Sequence, residues 1–271
     1  MHITTITEKK ERLFEQLDRL CRSDVALAFS GGVDSSLLLS LLKEFADANG
    51  TKVTAVTADT ALHPHEDCEI SARVCRETGV DHRIIRIDEF SDAGIEDNPP
   101  DRCYRCKLLI FKKIKEEAES IGASYILDGT NLDDTKVYRP GLKALSELGI
   151  ISPLKDAGFT KDEVRRLAAE RGLSTASRPA APCLATRFPY GTHLTLEKLQ
   201  TAENGEKYLK SLGLYNVRLR IHDDIARIET DPESFEIITA HRTEISERLK
   251  TLGLRFITLD LEGFRSGSFD K

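Results

Sequence analysis

Apolar residues at Ile6, Leu13, Leu17 and Leu20 fall on one helical face among Glu and Lys, so residues 5–21 read as an amphipathic helix. A short apolar run follows, Val25-Ala26-Leu27-Ala28-Phe29, the pattern of a strand buried on both faces. Two glycines interrupt it, and Leu37 to Leu42 carry a second helix, 34–49, that stops at Asn49-Gly50. Residues 51–58, 82–87 and 124–128 read as further strands. Helices separate them, one ending near Gly79 and one spanning 102–121, and the polar stretch 91–101 with Asn98-Pro99-Pro100 reads as a loop. Helices at 141–148 and 160–171 complete this part, the latter opened by a capping box of Thr160 and Glu163. Strands alternating with helices predict an α/β fold with a doubly wound parallel sheet. Such a sheet binds ligands beyond the carboxyl ends of its strands, where the glycine turn and the loops 59–65, 91–101 and 129–135 would meet.

The pattern changes after an irregular stretch at 173–194. A helix over 195–212, strands at 215–221 and 224–229, a helix over 232–252 and a strand at 254–260 make a small α+β unit. The expected division is 1–190 for the parallel-sheet domain and 191–271 for the small α+β domain.

Composition narrows the class. The chain has 271 residues, 40% hydrophobic and 31% charged, enough for one large core and a smaller one. No apolar run approaches a membrane span, and Met1 to Thr5 lack the features of a signal peptide, so a cytoplasmic protein without a membrane partner is expected. The net charge of −6, without a basic cluster, counts against nucleic acid as a partner. The six cysteines are then expected to be reduced, catalytic or metal-bound rather than paired.

The turn after the first strand is Ser30-Gly31-Gly32-Val33-Asp34-Ser35-Ser36. Glycines let the backbone approach a ligand closely, the first N–H groups of the helix stay free to donate, and three hydroxyls add donors. Asp34 sits in the first helical turn, where an acid is favourable and can hold a metal such as Mg2+. No lysine follows until Lys43, so this is not a Walker P-loop. The pattern resembles instead the PP-loop of ATP pyrophosphatases, in which the loop cradles pyrophosphate while a substrate oxygen attacks the α-phosphorus of ATP.

Three further groups carry candidate chemistry. Cys103 and Cys106 are three apart at a helix start beside Arg102, Arg105 and Lys107, surroundings that favour thiolates; alone they read as half a metal site, a redox pair or two unrelated thiols. Cys183 lies in a proline-flanked segment, Arg178 to Thr192, between basic residues. Arg218, Arg220 and His222 alternate along one strand face, suited to phosphate or carboxylate and equally readable as a solvated sheet face. Cys21, Cys68 and Cys75 read as packing positions.

S-G-G-V-D-S-S, the G-T-N-x-D-D segment at 129–134 and P-C-L-A-T-R-F-P-Y-G-T from Pro182 resemble the LarE family over nearly the whole chain. These are ATP-dependent sulfur transferases that build the nickel-pincer cofactor of lactate racemase on an adenine nucleotide α-hydrolase-like fold. The resemblance implies that ATP adenylates a carboxylate of a pyridinium-3,5-biscarboxylate mononucleotide and that sulfur then displaces AMP. It implies nucleotide contacts from Ser30, Gly31, Gly32, Asp34, Ser35, Ser36 and Gly129, with Asp34 and Cys183 in the chemistry. It implies substrate contacts from Asp134, Arg187, Arg218, Arg220 and an acid on the preceding helix, Glu206 with Glu203 as the alternative. The family has two sulfur chemistries, sacrifice of a cysteine matching Cys183 or a [4Fe-4S] cluster on three cysteines whose open iron carries an extra sulfide. The set Cys103, Cys106 and Cys183 favours the cluster, with sulfide from a separate donor; a structural zinc and the sacrificial route stay open. The family also implies a homo-oligomer. A tRNA-thiolating enzyme would share the loop and the cluster chemistry, an amidating synthetase the loop without the three cysteines, and a nucleotide-binding iron–sulfur carrier would bind nucleotide and cluster without turnover.

Overall fold

A computed structural model describes residues 5–136, 140–179 and 182–265. Residues 1–4, and Ala180 and Ala181 of the cysteine-183 segment, lie outside the described residues. The chain divides into two compact units. The first takes Met1–Thr60, His65–Ala93 and Asp101–Ala180; the second takes Ala61–Pro64, Gly94–Pro100 and Ala181–Lys271. The change of pattern expected at 190 thus falls inside the second unit. Two of the loops expected at the carboxyl edge of the parallel sheet contribute segments to it.

In the first unit, α1 (Ile6–Leu20) leads to β1 (Val25–Ala28), α2 (Val33–Asn49), β2 (Val53–Thr60), α3 (His65–Thr78), β3 (Asp81–Ile87), α4 (Glu89–Ala93), α5 (Arg102–Ser120) and β4 (Tyr125–Asp128). Then come α6 (Gly141–Glu147), α7 (Pro153–Asp156) and α8 (Lys161–Glu170). The short helices α4 and α7 were not visible in the periodicity, being too brief to show one. All pairings are parallel and the order is β3-β2-β1-β4. The order reverses between β1 and β4, so the turn after β1 and the loop after β4 are neighbours at the switch point. Helix α2 packs on α1, α3 and α8, while α5 touches all four strands. Apolar stripes explain this: Leu13 and Leu17 of α1 and Leu37, Leu38, Leu41 and Leu42 of α2 are fully buried in one core with Leu27, Val164 and Ala168. The expected capping box forms at Thr160 with Glu163, and a second one, not anticipated, forms at Thr5 with Glu8.

The second unit contains α9 (Leu196–Ser211), β5 (Val217–His222), β6 (Ile225–Thr230), α10 (Phe235–Ala240), α11 (Arg242–Lys250) and β7 (Phe256–Leu259). Strands β5 and β6 form a hairpin, and β7 runs parallel to β6. The single helix expected over 232–252 is broken at His241. The hydroxyl of Thr239 donates back to the carbonyls of Phe235 (3.1 Å) and Glu236 (3.0 Å), a local bond that competes with the helical ladder. Helix α9 lies close on β5 because Gly205 has no side chain: a Cβ there would stand 2.3 Å from Leu219 Cδ2.

Candidate functional site

In the first unit the glycine turn has the geometry its sequence implies. Gly31 adopts φ +65°, and a Cβ on it would stand 2.8 Å from Ser71 Oγ. Gly32 is the N-cap of α2 and provides no capping side chain, leaving the first amides of the helix to an incoming ligand. Ser35 Oγ donates to the Gly32 carbonyl (3.1 Å) and lies 3.2 Å from Ser30 Oγ. Ser36 Oγ is buried without a hydrogen-bond partner. A cradle of free amides and hydroxyls with an orphaned buried hydroxyl fits a phosphate ligand.

Gly129 ends β4 directly behind this turn. A Cβ at 129 would stand 2.8 Å from Ser35 N and 3.0 Å from Ser35 Cα, so the absence of a side chain sets how close the two loops lie. The next residues organise acids. Asn131 Nδ2 donates to Asp34 Oδ1 (3.0 Å), while Asn131 Oδ1 accepts from the backbone N–H groups of Asp133 (2.9 Å) and Asp134 (3.3 Å). Asp134 Oδ2 accepts in turn from the Asn131 N–H (3.0 Å), closing the turn. Asp128 is buried and accepts from Thr130 and from Ser152.

Three residues join this site that had no individual role in the sequence reading. Lys161, at the start of α8, forms an ion pair with Asp34. Arg178 donates to the Gly31 carbonyl (3.0 Å) and pairs with Asp67 of α3 (2.5 Å), holding the turn from behind. Asn131 lies within the G-T-N-x-D-D segment, but nothing in the spacing pairs it with Asp34. The lysine and the arginine are more than 120 residues from the turn, and no local signal connects them. Asp34 is half-buried and presents hard carboxylate oxygens beside the phosphate cradle, which fits a magnesium ion held through one carboxylate and substrate phosphates.

Cys103 and Cys106 occupy the first turn of α5 in the same unit. Cys103 is half-buried, 3.6 Å from Arg102 Nη2, and Cys106 is buried. Gly141, the first residue of α6, allows that helix to approach the same turn: a Cβ on it would stand 3.4 Å from the Cys103 carbonyl.

Cys183 belongs to the second unit, where it opens a 3-10 turn, Leu184–Arg187. Its carbonyl accepts from Thr186 Oγ1 (2.7 Å) and from Arg187 Nη1 (3.2 Å). Arg187 is buried and forms a two-pronged pair with Glu206 of α9, at 2.7 and 2.8 Å. Glu206 Oε1 also accepts from the Leu219 N–H of β5 (3.0 Å). Of the two acids considered, Glu206 is thus the one paired with Arg187, while Glu203 is half-buried.

Arg218 and Arg220 are buried, which removes the reading of a solvated sheet face. Arg220 Nε pairs with Glu229 Oε2 (3.0 Å), Arg220 also donates to the Thr186 carbonyl, and Arg227 pairs with the other oxygen of Glu229 (2.9 Å). Arg218 stacks its guanidinium 5.1 Å from the centre of the Phe264 ring. Burial, with the charge of Arg187 nearby, pulls Arg218 down to about 10. Burial likewise lowers Arg220. Burial would raise the Glu206 carboxyl, but the charge and hydrogen bonds of Arg187 outweigh it and hold the group below its usual range. Glu229 was missed: the hairpin turns at Asp223-Asp224, one residue beyond the expected link, and this register sets Arg218 opposite Glu229 rather than Arg227.

Among the described residues no group of three or more His, Cys, Asp or Glu is gathered as a metal site. The first unit holds Cys103 and Cys106 and the second Cys183. As donors, three thiolates suit an iron–sulfur cluster with one open iron.

Sequence comparison covers both units. The PP-loop domain family matches residues 4–137. The pyridinium-3,5-bisthiocarboxylic acid mononucleotide synthase of Lactiplantibacillus plantarum is 38% identical over 98% of this chain and 95% of its own length. An uncharacterized protein of Synechocystis is 35% identical over 97% of this chain and 96% of its own length, and one of Methanocaldococcus jannaschii 30% identical over 89% and 91%. Identity of this extent, running through the glycine turn and the buried arginine site alike, places the chain in the LarE family of PP-loop proteins, the family of pyridinium-3,5-bisthiocarboxylic acid mononucleotide synthase.

Proposed function

We propose that the protein uses ATP to adenylate a carboxylate of pyridinium-3,5-biscarboxylate mononucleotide, releases pyrophosphate, and then exchanges AMP for sulfur to leave a thiocarboxylate. The observation that carries this reading is the similarity to the synthase over 98% of the chain, which extends beyond the PP-loop into the second unit. The amides and hydroxyls of Gly32 to Ser36 bind the β- and γ-phosphates, and Asp34 holds the accompanying Mg2+. Arg187, Arg218 and Arg220 bring three positive charges against the carboxylates of Glu206 and Glu229. That field suits a ligand carrying a phosphate and two carboxylates, whose negative charge offsets the burial and, after it, the repulsion from Arg187 that lower Arg218 and Arg220.

Cys103, Cys106 and Cys183 are the proposed ligands of a [4Fe-4S] cluster, which when bound supplies an open iron able to carry a sulfide from a separate donor. The chain is read as a cytoplasmic homo-oligomer; no helix among the described residues is long and apolar enough to cross a membrane. The test is anaerobic purification followed by iron and sulfide analysis and by turnover with ATP and the biscarboxylate. The expected result is a brown protein that yields AMP, pyrophosphate and thiocarboxylate, with iron lost on Cys103→Ala, Cys106→Ala or Cys183→Ala. ADP and phosphate as products would sink the adenylation step. Sulfur transfer by iron-free protein, with Cys183 converted to dehydroalanine, would replace the cluster by sacrifice of that cysteine.

A further inference from the structure

The peptide that joins Gly31 to Gly32 is flanked by two residues without side chains, so it can turn over at little steric cost. Only one of its two orientations serves an anion. Its N–H lies 3.4 Å from Ser30 Oγ, a hydroxyl that lines the cradle with Ser35 Oγ. In a trans peptide the carbonyl points the opposite way, out of the cradle. Turned over, the same peptide would set a carbonyl oxygen against the incoming phosphates.

A side chain from a distant part of the same unit holds this peptide. Arg178 Nη1 donates to the Gly31 carbonyl (3.0 Å), and Arg178 Nη2 pairs with Asp67 Oδ1 (2.5 Å). The side chains of Arg178 and Asp67 are only 18% and 14% exposed. Asp67 precedes Ser71 by one turn of α3, and Ser71 is the residue against which Gly31 packs. One helix face thus carries both the floor of the turn and the counter-ion of the arginine. The backbone of Arg178 is fixed as well. Arg165 of α8 donates to the carbonyls of Ala176 (2.7 Å) and Arg178 (2.8 Å), and the Arg178 N–H donates to the Thr175 carbonyl (3.0 Å). Two arginines in series therefore reach from α8 to a single backbone carbonyl of the glycine turn.

We propose that Arg178 is a positioning residue of the phosphate cradle: it holds the Gly31–Gly32 peptide with the Gly32 N–H toward the phosphates and the carbonyl away from them. Arg178 touches no phosphate in this role and acts through the backbone. Its charge also polarises the amide it grips, which strengthens the N–H as a donor. This rests on the reading of the turn as a pyrophosphate cradle.

Position 32 supplies the test. Gly32 has φ −77°, which any residue adopts, and a Cβ there meets only Ser30 Oγ at 3.4 Å. Turning the peptide over carries φ at 32 to positive values, open to glycine and strained for alanine. Gly32→Ala therefore locks the orientation that Arg178 selects. Calorimetry measures binding of inorganic pyrophosphate with Mg2+ to wild type, Arg178→Gln, Gly32→Ala and the double variant. Arg178→Gln is expected to weaken binding about tenfold, the worth of one hydrogen bond to a charged group. In the Gly32→Ala background the same change is expected to cost about threefold or less. An equal loss in both backgrounds would overturn the proposal, because a distant charge or a loosened fold acts whatever residue stands at 32. Unchanged affinity in Arg178→Gln would overturn it too. Should Arg178→Gln not fold, Asp67→Asn, which removes the second anchor of the arginine, takes its place in the cycle with the same outcomes. Should Gly32→Ala alone abolish binding, the Gly32 amide resonance of protein carrying isotope-labelled glycine decides. The shift that saturating pyrophosphate induces on it is expected to be at least halved in Arg178→Gln, and an equal shift would refute the role. A wild type that binds no pyrophosphate would instead overturn the reading of the turn itself.

Discussion

A methyl group at position 129 would stand 2.8 Å from the Ser35 amide nitrogen, and neither atom belongs to a side chain that can turn away. The phosphate cradle and the loop after β4 therefore depend on one missing carbon. Gly129→Ala is expected to destabilise the protein by about 1–3 kcal/mol, the usual cost of overpacking a site that cannot relax. Urea unfolding measures it, and an unchanged midpoint would show that the strand end has room to shift. Cysteines show the same dependence on surroundings. Burial raises the Cys75 thiol to about 12 and the Cys21 thiol to about 11, which suits the packing roles read for them from the sequence.

At the scale of elements, α9 and β5 meet through Gly205 and then bury an ion pair beside that contact. The sign of the pH dependence follows from Glu206. Its carboxyl is held below the ordinary 4.5 in the folded protein, so its contribution is fully present above 4.5 and is lost as pH falls through the lower folded value. Glu206→Gln is expected to lose about 3–5 kcal/mol at neutral pH, because the buried Arg187 loses its counter-charge. The stability curves of wild type and variant should approach each other below pH 4.5. Urea midpoints measured from pH 7 to pH 3 check this, and curves that stay parallel would show that Glu206 keeps an ordinary carboxyl. The amphipathic helices and the capping box at Thr160 were legible in sequence because the bonds that define them span three or four residues. The break at His241 was not, since neither a glycine nor a proline marks it in the sequence.

For the whole molecule, the separation into units does not follow chain order. Segments 61–64 and 94–100 belong with the C-terminal unit and are bonded to it: Leu184 N–H donates to the Leu62 carbonyl (2.7 Å) and Leu194 N–H to the Glu96 carbonyl (2.6 Å). Asn98 is fully buried at φ +47° and donates its side-chain amide to the carbonyls of Phe188 (3.2 Å) and Pro189 (2.8 Å). Asn98→Ala would leave those acceptors without this donor and put an alanine in the left-handed region, a cost of about 1–3 kcal/mol. Its expected signature is a lower urea midpoint with limited proteolysis opening near Tyr190; a wild-type midpoint and cleavage pattern would show that the segment is held by other contacts. In sequence Asn98 announced only a loop before two prolines.

The sequence by itself determined the parallel-sheet α/β class, the anion-binding turn after the first strand, the capping box at Thr160 and the arginine pair on β5. Each is encoded in residues a few positions apart, where backbone geometry and side-chain period act directly. Tertiary structure decided that Lys161 pairs with Asp34, that Gly129 must lack a side chain, that the β5 arginines are buried among carboxylates, and which loops join the second unit. Those facts depend on which distant segments the fold brings together, and a spacing of more than a hundred residues carries no local signal of the partner.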